Sequence, residues 1–254
     1  MKRFLLATVA LAALSAPAAA ADLATKYPVK AVAVPVFSWT GFYIGGNFGY
    51  GGDSVDFTEA EYYYGYLSPY SYSHSVNSSG FFVGGQIGYN YQFANNVVVG
   101  LETDLQWSGI EGKSDFTESY YGVPYYSQNR SASVDYFGTI RARLGYAFDR
   151  FLPYITGGVA YGKTAISHSG GYTDGYYLYN GSDSSTNWGW TVGAGVEYAI
   201  TNNWTFKTEY LYVDLGSTDY TFGQTYYDGY TAYSYVGSVD TKFHTLKAGV
   251  NYKF

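Results

Sequence analysis

From Gly41 onward the chain alternates apolar and polar side chains with a period of two. Along 41–51 one face reads Phe42, Ile44, Gly46, Phe48, Tyr50, and the other Tyr43, Gly45, Asn47, Gly49. Along 97–107 Val99, Leu101, Thr103, Leu105 and Trp107 oppose Gly100, Glu102, Asp104 and Gln106. The same pattern runs through 81–93, 134–148, 152–163, 188–200, 204–213 and roughly 239–254, with Ile155, Val159 and Tyr161 assigned outward in the fifth. Strict alternation is the mark of a strand with one apolar and one polar face, so the pattern predicts eight strands. Three connections are very short: Ala94-Asn95-Asn96, Asp149-Arg150-Phe151 and Thr201-Asn202-Asn203. Four are long, at about 52–79, 108–133, 164–187 and 214–238. Short turns at one end and long loops at the other are the habit of outer-membrane barrels. The expected fold is all-β, an eight-stranded antiparallel up-and-down transmembrane β-barrel with long extracellular loops.

Four even-numbered strands share a spaced ending that carries Tyr89, Tyr146, Tyr198 and Tyr252, separated by 57, 52 and 54 residues. These strands run the same way, so the four tyrosines are expected at one level as an inner aromatic girdle, where amphipathic rings favour the headgroup layer. The polar faces carry Glu102, Asp104, Arg141, Arg143, Glu197, Lys207, Glu209 and Lys247. A Lys or Arg on the lipid face near the midplane costs about 2–4 kcal/mol, so this set belongs inside. Four acids against four bases predict a salt-bridge ladder, with Glu102–Arg143, Asp104–Arg141 and Glu197–Lys207 as the expected pairs. Eight strands leave room only for side chains, which argues against a wide aqueous pore.

Before the strands, Lys2 and Arg3 precede an apolar run over 4–14 and the small residues Ala18-Ala19-Ala20. That is the layout of a secretory signal peptide. The expected domains are a signal peptide at 1–20, a periplasmic N-terminal extension at 21–39 read as a tether, and the barrel at 40–254.

Composition fits the pattern: 33 Tyr, 32 Gly, 16 Phe, 6 Pro, no Cys, and a formal net charge of −6. The acidic balance argues against nucleic acid as a partner, and the lack of cysteine excludes disulfides and thiolate chemistry. No catalytic or metal constellation has a specific spacing. Gly84-Gly85 and Gly88 imitate a dinucleotide fingerprint without a helix to follow, and three histidines scattered over the chain assemble no triad. The chain is therefore expected not to be an enzyme and to need no cofactor.

The long loops are rich in tyrosine, including Tyr62, Tyr63 and Tyr64, and mostly acidic. Tyr, Ser, Gly and Asn also build adaptable antibody contact surfaces, which suggests an adhesive or recognition face for a host or environmental ligand. The other reading of these segments is extended strand tips whose tyrosines pair across hairpins. Hemin capture is a rival, since Tyr or His can serve as an axial ligand. His74 beside the Tyr62–Tyr64 cluster is the candidate site, with His168 in the third loop and His244 near the outer girdle. A narrow porin-type channel is the remaining alternative.

Residues 39–51, Trp-Thr-Gly-Phe-Tyr-Ile-Gly-Gly-Asn-Phe-Gly-Tyr-Gly, and the end Lys247-Ala248-Gly249-Val250-Asn251-Tyr252-Lys253-Phe254 resemble the small bacterial outer-membrane immunogenic proteins, the porin-family, opacity-like barrels of the OmpA-like superfamily. The segments 153–158 and 209–214 fit the same family. The resemblance implies that Gly249, Tyr252 and Phe254 form an assembly signal read by the barrel-insertion machinery. It also implies outer-membrane lipid as the surroundings, and relatives that bind hemin or act as surface antigens.

Overall fold

The computed structural model describes residues 37–254 except 64–65, 175–177 and 226–230, and at some strand positions toward the hairpin ends, Tyr63 and His74 among them, the backbone alone. The expected signal peptide and most of the expected extension lie outside the described residues. Eight strands follow in order: β1 (Gly41–Tyr63), β2 (Tyr66–Gln92), β3 (Val97–Tyr120), β4 (Val123–Tyr146), β5 (Phe151–Tyr172), β6 (Leu178–Ala199), β7 (Trp204–Thr225) and β8 (Thr231–Lys253). Each pairs antiparallel with its sequence neighbour, and β1 pairs with β8 to close the barrel, with Tyr43 opposite Lys253 and Phe48 opposite Ala248. The last residue extends the closure, as the Phe254 N–H donates to the Phe42 carbonyl at 3.0 Å.

Side-chain parity follows the alternation. Phe42, Ile44, Leu101, Leu105, Ile140, Leu144, Ile155, Val192, Leu246 and Val250 are exposed outside the cylinder. Tyr43, Glu102, Asp104, Arg141 and Lys247, one residue out of phase with them, are buried inside. Short connections close the first end, with Asn96 and Asp149 in the left-handed region at φ 67° and 53°. Asn and Asp tolerate that conformation in tight turns.

The expectation of long loops needs correction. The strands are 22 to 27 residues long and consume most of the segments assigned to loops. The β3–β4 hairpin turns on Tyr121 and Gly122 alone, both at positive φ (49° and 78°), which is the backbone of a type I′ turn. A membrane strand needs only about 9–11 residues. At a rise of about 3.3 Å per residue and a tilt of about 40°, these strands rise roughly 55–70 Å along the axis, more than twice the apolar band.

The extra length is not simply a taller cylinder. The β2–β3 ladder runs from Gln92 opposite Val98 up to Ser79 opposite Glu111 and stops there among the described residues. On the other side of the barrel, the β6–β7 ladder stops at Trp190 opposite Asp214. Above those points the remaining ladders continue, so the upper part divides into two four-stranded sheets, β7-β8-β1-β2 and β3-β4-β5-β6. Register shifts gather at this level: Trp107/Ile110 in β3, Val134/Tyr136 in β4 and Asp214/Ser217 in β7. Bulges bend strands and raise local twist, which lets one closed sheet become two. Gly216 takes φ 72° within the β7 bulge, and a Cβ at Gly189 would lie 1.8 Å from the Asp214 carbonyl oxygen. The two sheets face each other over a core of their own: Val55, Phe57, Val76, Tyr220 and Val239 from one, Ala132 and Ile166 from the other. This buried apolar set is the physical reason the chain stays in strands here instead of fraying into loops.

Candidate functional site

The interior is built in layers. At the short-turn mouth Trp39, 1% exposed, packs with Phe37, Val98, Ala147, Leu152, Tyr154 and Ala199. Its indole N–H donates to the Asp149 carbonyl at 3.0 Å, and its backbone N–H to Gln92 Oε1 at 2.8 Å. Phe37 meets Trp39 edge-on at 5.0 Å, beneath the cations of Lys253 and Arg150 at 4.7 and 5.5 Å. The described part of the expected tether, 37–39, is thus folded into the mouth. Burial of two aromatic rings outweighs the freedom of an extended chain.

Above the mouth lies the charged layer, whose four carboxylates and four cations are all buried. Arg141 is its hub, reaching Glu102 at 2.6 Å, Asp104 at 2.9 Å and Glu209 at 2.9 Å. Lys207 binds Glu102 at 2.6 Å, and Lys247 bridges Asp104 at 2.7 Å and Glu209 at 2.9 Å. Arg143 binds Glu197 at 2.9 Å and lies 3.8 Å over the Tyr154 ring. The arrangement brings Asp104 to Arg141, but Glu102 and Arg143 do not pair, nor do Glu197 and Lys207. Glu102 stands directly opposite Arg141 and Gly100 opposite Arg143, a register two residues from the one used to match them. Long side chains then reach across the lumen to strands that are not neighbours.

Several members of the network escaped the sequence reading. Tyr43 donates to Glu102 at 2.7 Å and Tyr154 to Glu209 at 2.8 Å. Thr139 donates to Asp104 at 2.8 Å, and Asn251 to Glu197 at 2.9 Å while accepting from Gln86 at 2.7 Å. The signal for all of them was parity, since each sits on its strand's inward face. The carboxylate oxygens of Glu102, Asp104 and Glu209 come within 4.8 Å of one another, close enough to suggest a cation site. Arg141, Lys207 and Lys247 already supply positive charge at those oxygens, so the donor set suits internal pairing better than a metal ion.

A third layer is apolar. Phe82 meets Phe137 at 5.3 Å and Phe137 meets Phe243 at 5.1 Å, both edge-on, among Ile110, Val134, Ala160, Leu211, Val213 and Leu215. The core between the two upper sheets is the fourth.

Outside, Tyr89, Tyr146, Tyr198 and Tyr252 are exposed near the short turns, beside Phe42, Phe148, Phe151 and Trp204. A second set, with Tyr50, Phe81, Trp107, Trp188, Trp190 and Tyr210, rings the level at which the cylinder divides. His244 lies there, its Nδ1 2.5 Å from the Tyr210 hydroxyl and its Nε2 3.3 Å from Asp53. Gly249 sits in β8 against the Gly46 carbonyl, with Tyr252 and Phe254 exposed below it. Of the expected hemin site, Tyr64 and the side chains of Tyr63 and His74 lie outside the described residues, which leaves Tyr62 alone.

A family model described as outer membrane protein beta-barrel domain matches residues 6–254. The chain belongs to that family. This outer-membrane barrel is 41% identical to the 31 kDa outer-membrane immunogenic protein of Brucella melitensis over 257 residues, which cover 100% of both chains. It is 35% identical to the 22 kDa outer membrane protein of Rhizobium leguminosarum over 199 residues, 78% of this chain and 72% of that one. Among solved structures, the outer membrane protein OprG from Pseudomonas aeruginosa matches with a TM-score of 0.50 at 15% identity, covering 85% of this barrel and 96% of that chain. At that identity the likeness concerns the fold alone. The barrel therefore resides in the outer membrane, with apolar side chains in lipid. Short turns face the periplasm in such barrels, so the two-sheet head faces outward from the cell.

Proposed function

We propose that this barrel is a surface recognition protein: a closed membrane anchor whose work is done by the extracellular head. The carrying observation is the division of the strands at the outer girdle into two sheets packed over their own core. A barrel needed only for anchoring has no use for roughly 30 Å or more of ordered sheet above the bilayer. The ligand is a macromolecule or glycan at the cell surface, host or environmental. In this reading the lumen is filled. The mouth plug, the ion network and the Phe82–Phe137–Phe243 layer lie in series, and each alone obstructs the narrow interior of eight strands. The end of β8, with Gly249 buried in the ladder and Tyr252 and Phe254 exposed, is the segment offered to the insertion machinery.

The test uses the refolded protein in bilayers. No stable conductance is expected, and Phe57→Asp, which places a charge in the head core, is expected to abolish surface binding while the barrel remains inserted. Stable single-channel conductance in the unmodified protein, or ligand binding indifferent to collapse of the head, would defeat the proposal.

A further inference from the structure

The β6–β7 seam leaves one edge of β6 open above Trp190. From Leu178 to Asn187 this strand is held by β5 on one side, Gly171 opposite Leu178 through Gly162 opposite Asn187, and, among the described residues, by no ladder on the other. Edge strands are templates for further pairing unless blunted by proline, lysine or inward charge. The other seam is blunted: the β2 edge contains Pro69, and the β3 edge Lys113, Asp115 and Glu118. The β6 edge reads Leu-Tyr-Asn-Gly-Ser-Asp-Ser-Ser-Thr-Asn over 178–187, with neither proline nor cation.

A second observation falls at the same place. At the base of the seam Asn187 and Ser185 reach Thr218 of β7 through side-chain hydrogen bonds at 2.5 and 3.3 Å. Just above, the strands part around a cavity of about 200 Å³, lined by Ile166, His168, Asp183 and Tyr220 among others. The His168 ring packs close to Gly181, where a Cβ would come within 2.6 Å of its Nε2. The cavity therefore has an aromatic back wall and a carboxylate at its mouth, Asp183 being exposed.

We propose that the open edge of β6, residues 178–186, takes up an extended basic peptide segment of a partner by strand addition, with one cationic side chain entering the cavity beside Asp183. The inference rests on the recognition reading above and names its site and partner class. Backbone hydrogen bonds along the edge would supply affinity, and the cavity would supply selectivity for alternate side chains. A lysine or arginine suits it because its methylene stem can lie along Tyr220 and Ile166 while its head meets Asp183. Charge also selects the partner. In the head, carboxylates such as Asp56, Asp115, Glu118, Asp174, Asp219 and Asp240 far outnumber Lys113, Arg130, Lys163 and Lys242. A second copy would bring the same acidic face, so pairing between copies is opposed by repulsion.

The experiment uses the refolded barrel in lipid nanodiscs and a synthetic peptide of about ten residues alternating Thr and Lys, a typical strand length. Amide hydrogen exchange is read along β6. Exchange across 178–186 is expected to slow about tenfold or more at saturating peptide. The same peptide N-methylated at every second residue keeps its charge but cannot pair along that edge, and should give no protection. A Thr–Glu peptide should also give none. Asp183→Asn is expected to weaken the Thr–Lys peptide about two- to fivefold without removing protection at saturation. Equal binding of the N-methylated peptide would show charge attraction alone and overturn strand addition. So would protection at 112–120 instead of 178–186, protection that grows with protein concentration without peptide, or a neutral oligosaccharide that protects the cavity where the peptide does not. If the head binds a surface ligand with 178–186 unprotected, strand addition fails and the recognition reading stands. If the protein binds nothing and conducts ions, the recognition reading itself fails.

Discussion

Replacing Arg141 probes the charged layer at its hub. Its guanidinium is fully buried and faces Glu102, Asp104 and Glu209 at 2.6–2.9 Å, with its Nε donating to Thr139 at 2.8 Å. Arg141→Met keeps much of the apolar volume but leaves three carboxylates to Lys207 and Lys247. One negative charge is then uncompensated where water does not reach, and breaking a buried pair in this way costs about 3–5 kcal/mol. Glu102→Gln alone should be costly for the mirror reason, because Lys207 Nζ lies within 2.6 and 2.7 Å of its two carboxylate oxygens and would lose that charge. The double variant removes one charge of each sign and leaves Asp104 and Glu209 with Lys207 and Lys247. It is expected to be more stable than the sum of the singles by about 1.5–3 kcal/mol. The assay is urea unfolding from bilayers followed by tryptophan fluorescence, run on all four corners of the cycle. An Arg141→Met cost under about 1 kcal/mol, or additivity within about 0.5 kcal/mol, would refute a tightly paired, water-excluded network.

Trp39→Ala should destabilise the periplasmic mouth by about 3 kcal/mol, read as faster amide exchange at Val98 and Ala147; unchanged exchange there would mean the indole is not seated. Leu101→Arg, on the outer surface of β3, is expected to cost about 2–4 kcal/mol in the same unfolding assay, whereas Phe116→Arg, exposed on β3 in the head, should be close to neutral. Equal costs would place the membrane boundary elsewhere. The side-chain amide of Gln106 is fully buried without a hydrogen-bond partner among the described residues, so Gln106→Met should raise stability by about 1–3 kcal/mol, and a loss would show that the amide has a partner in solution.

Much of the membrane half was legible because the bilayer imposes a severe code. Leu101 outside and Glu102 inside differ by one residue, and no other register keeps both tolerable. The turns at 94–96, 149–151 and 201–203 were visible for the same reason, as breaks in an otherwise strict alternation. Partner choice inside was not legible. Arg143 finds Glu197 across the lumen through reach and stagger that residue counting does not supply. The head was legible only as one of two readings, extended strand tips, because neither face of its strands meets lipid. Its inward residues, Val55, Phe57 and Val76, are spaced among Ser, Asp and Thr and read as loop. The seams were equally hidden, since a ladder that stops at Trp190 and Asp214 leaves no mark in either strand alone.

With no native cysteine in the chain, single cysteines can report each environment directly. Fluorophore-labelled Leu101→Cys should be quenched by spin-labelled lipid, while Gln106→Cys, one strand position along from the next outward residue and facing the lumen, should resist both lipid quenchers and water-soluble thiol reagents in the folded barrel. Rapid aqueous labelling at position 106 would mean a hydrated passage, and lipid quenching there would mean the strand is turned inside out; either result contradicts a barrel coated with apolar side chains and filled by its own inward-facing residues, the buried charges among them.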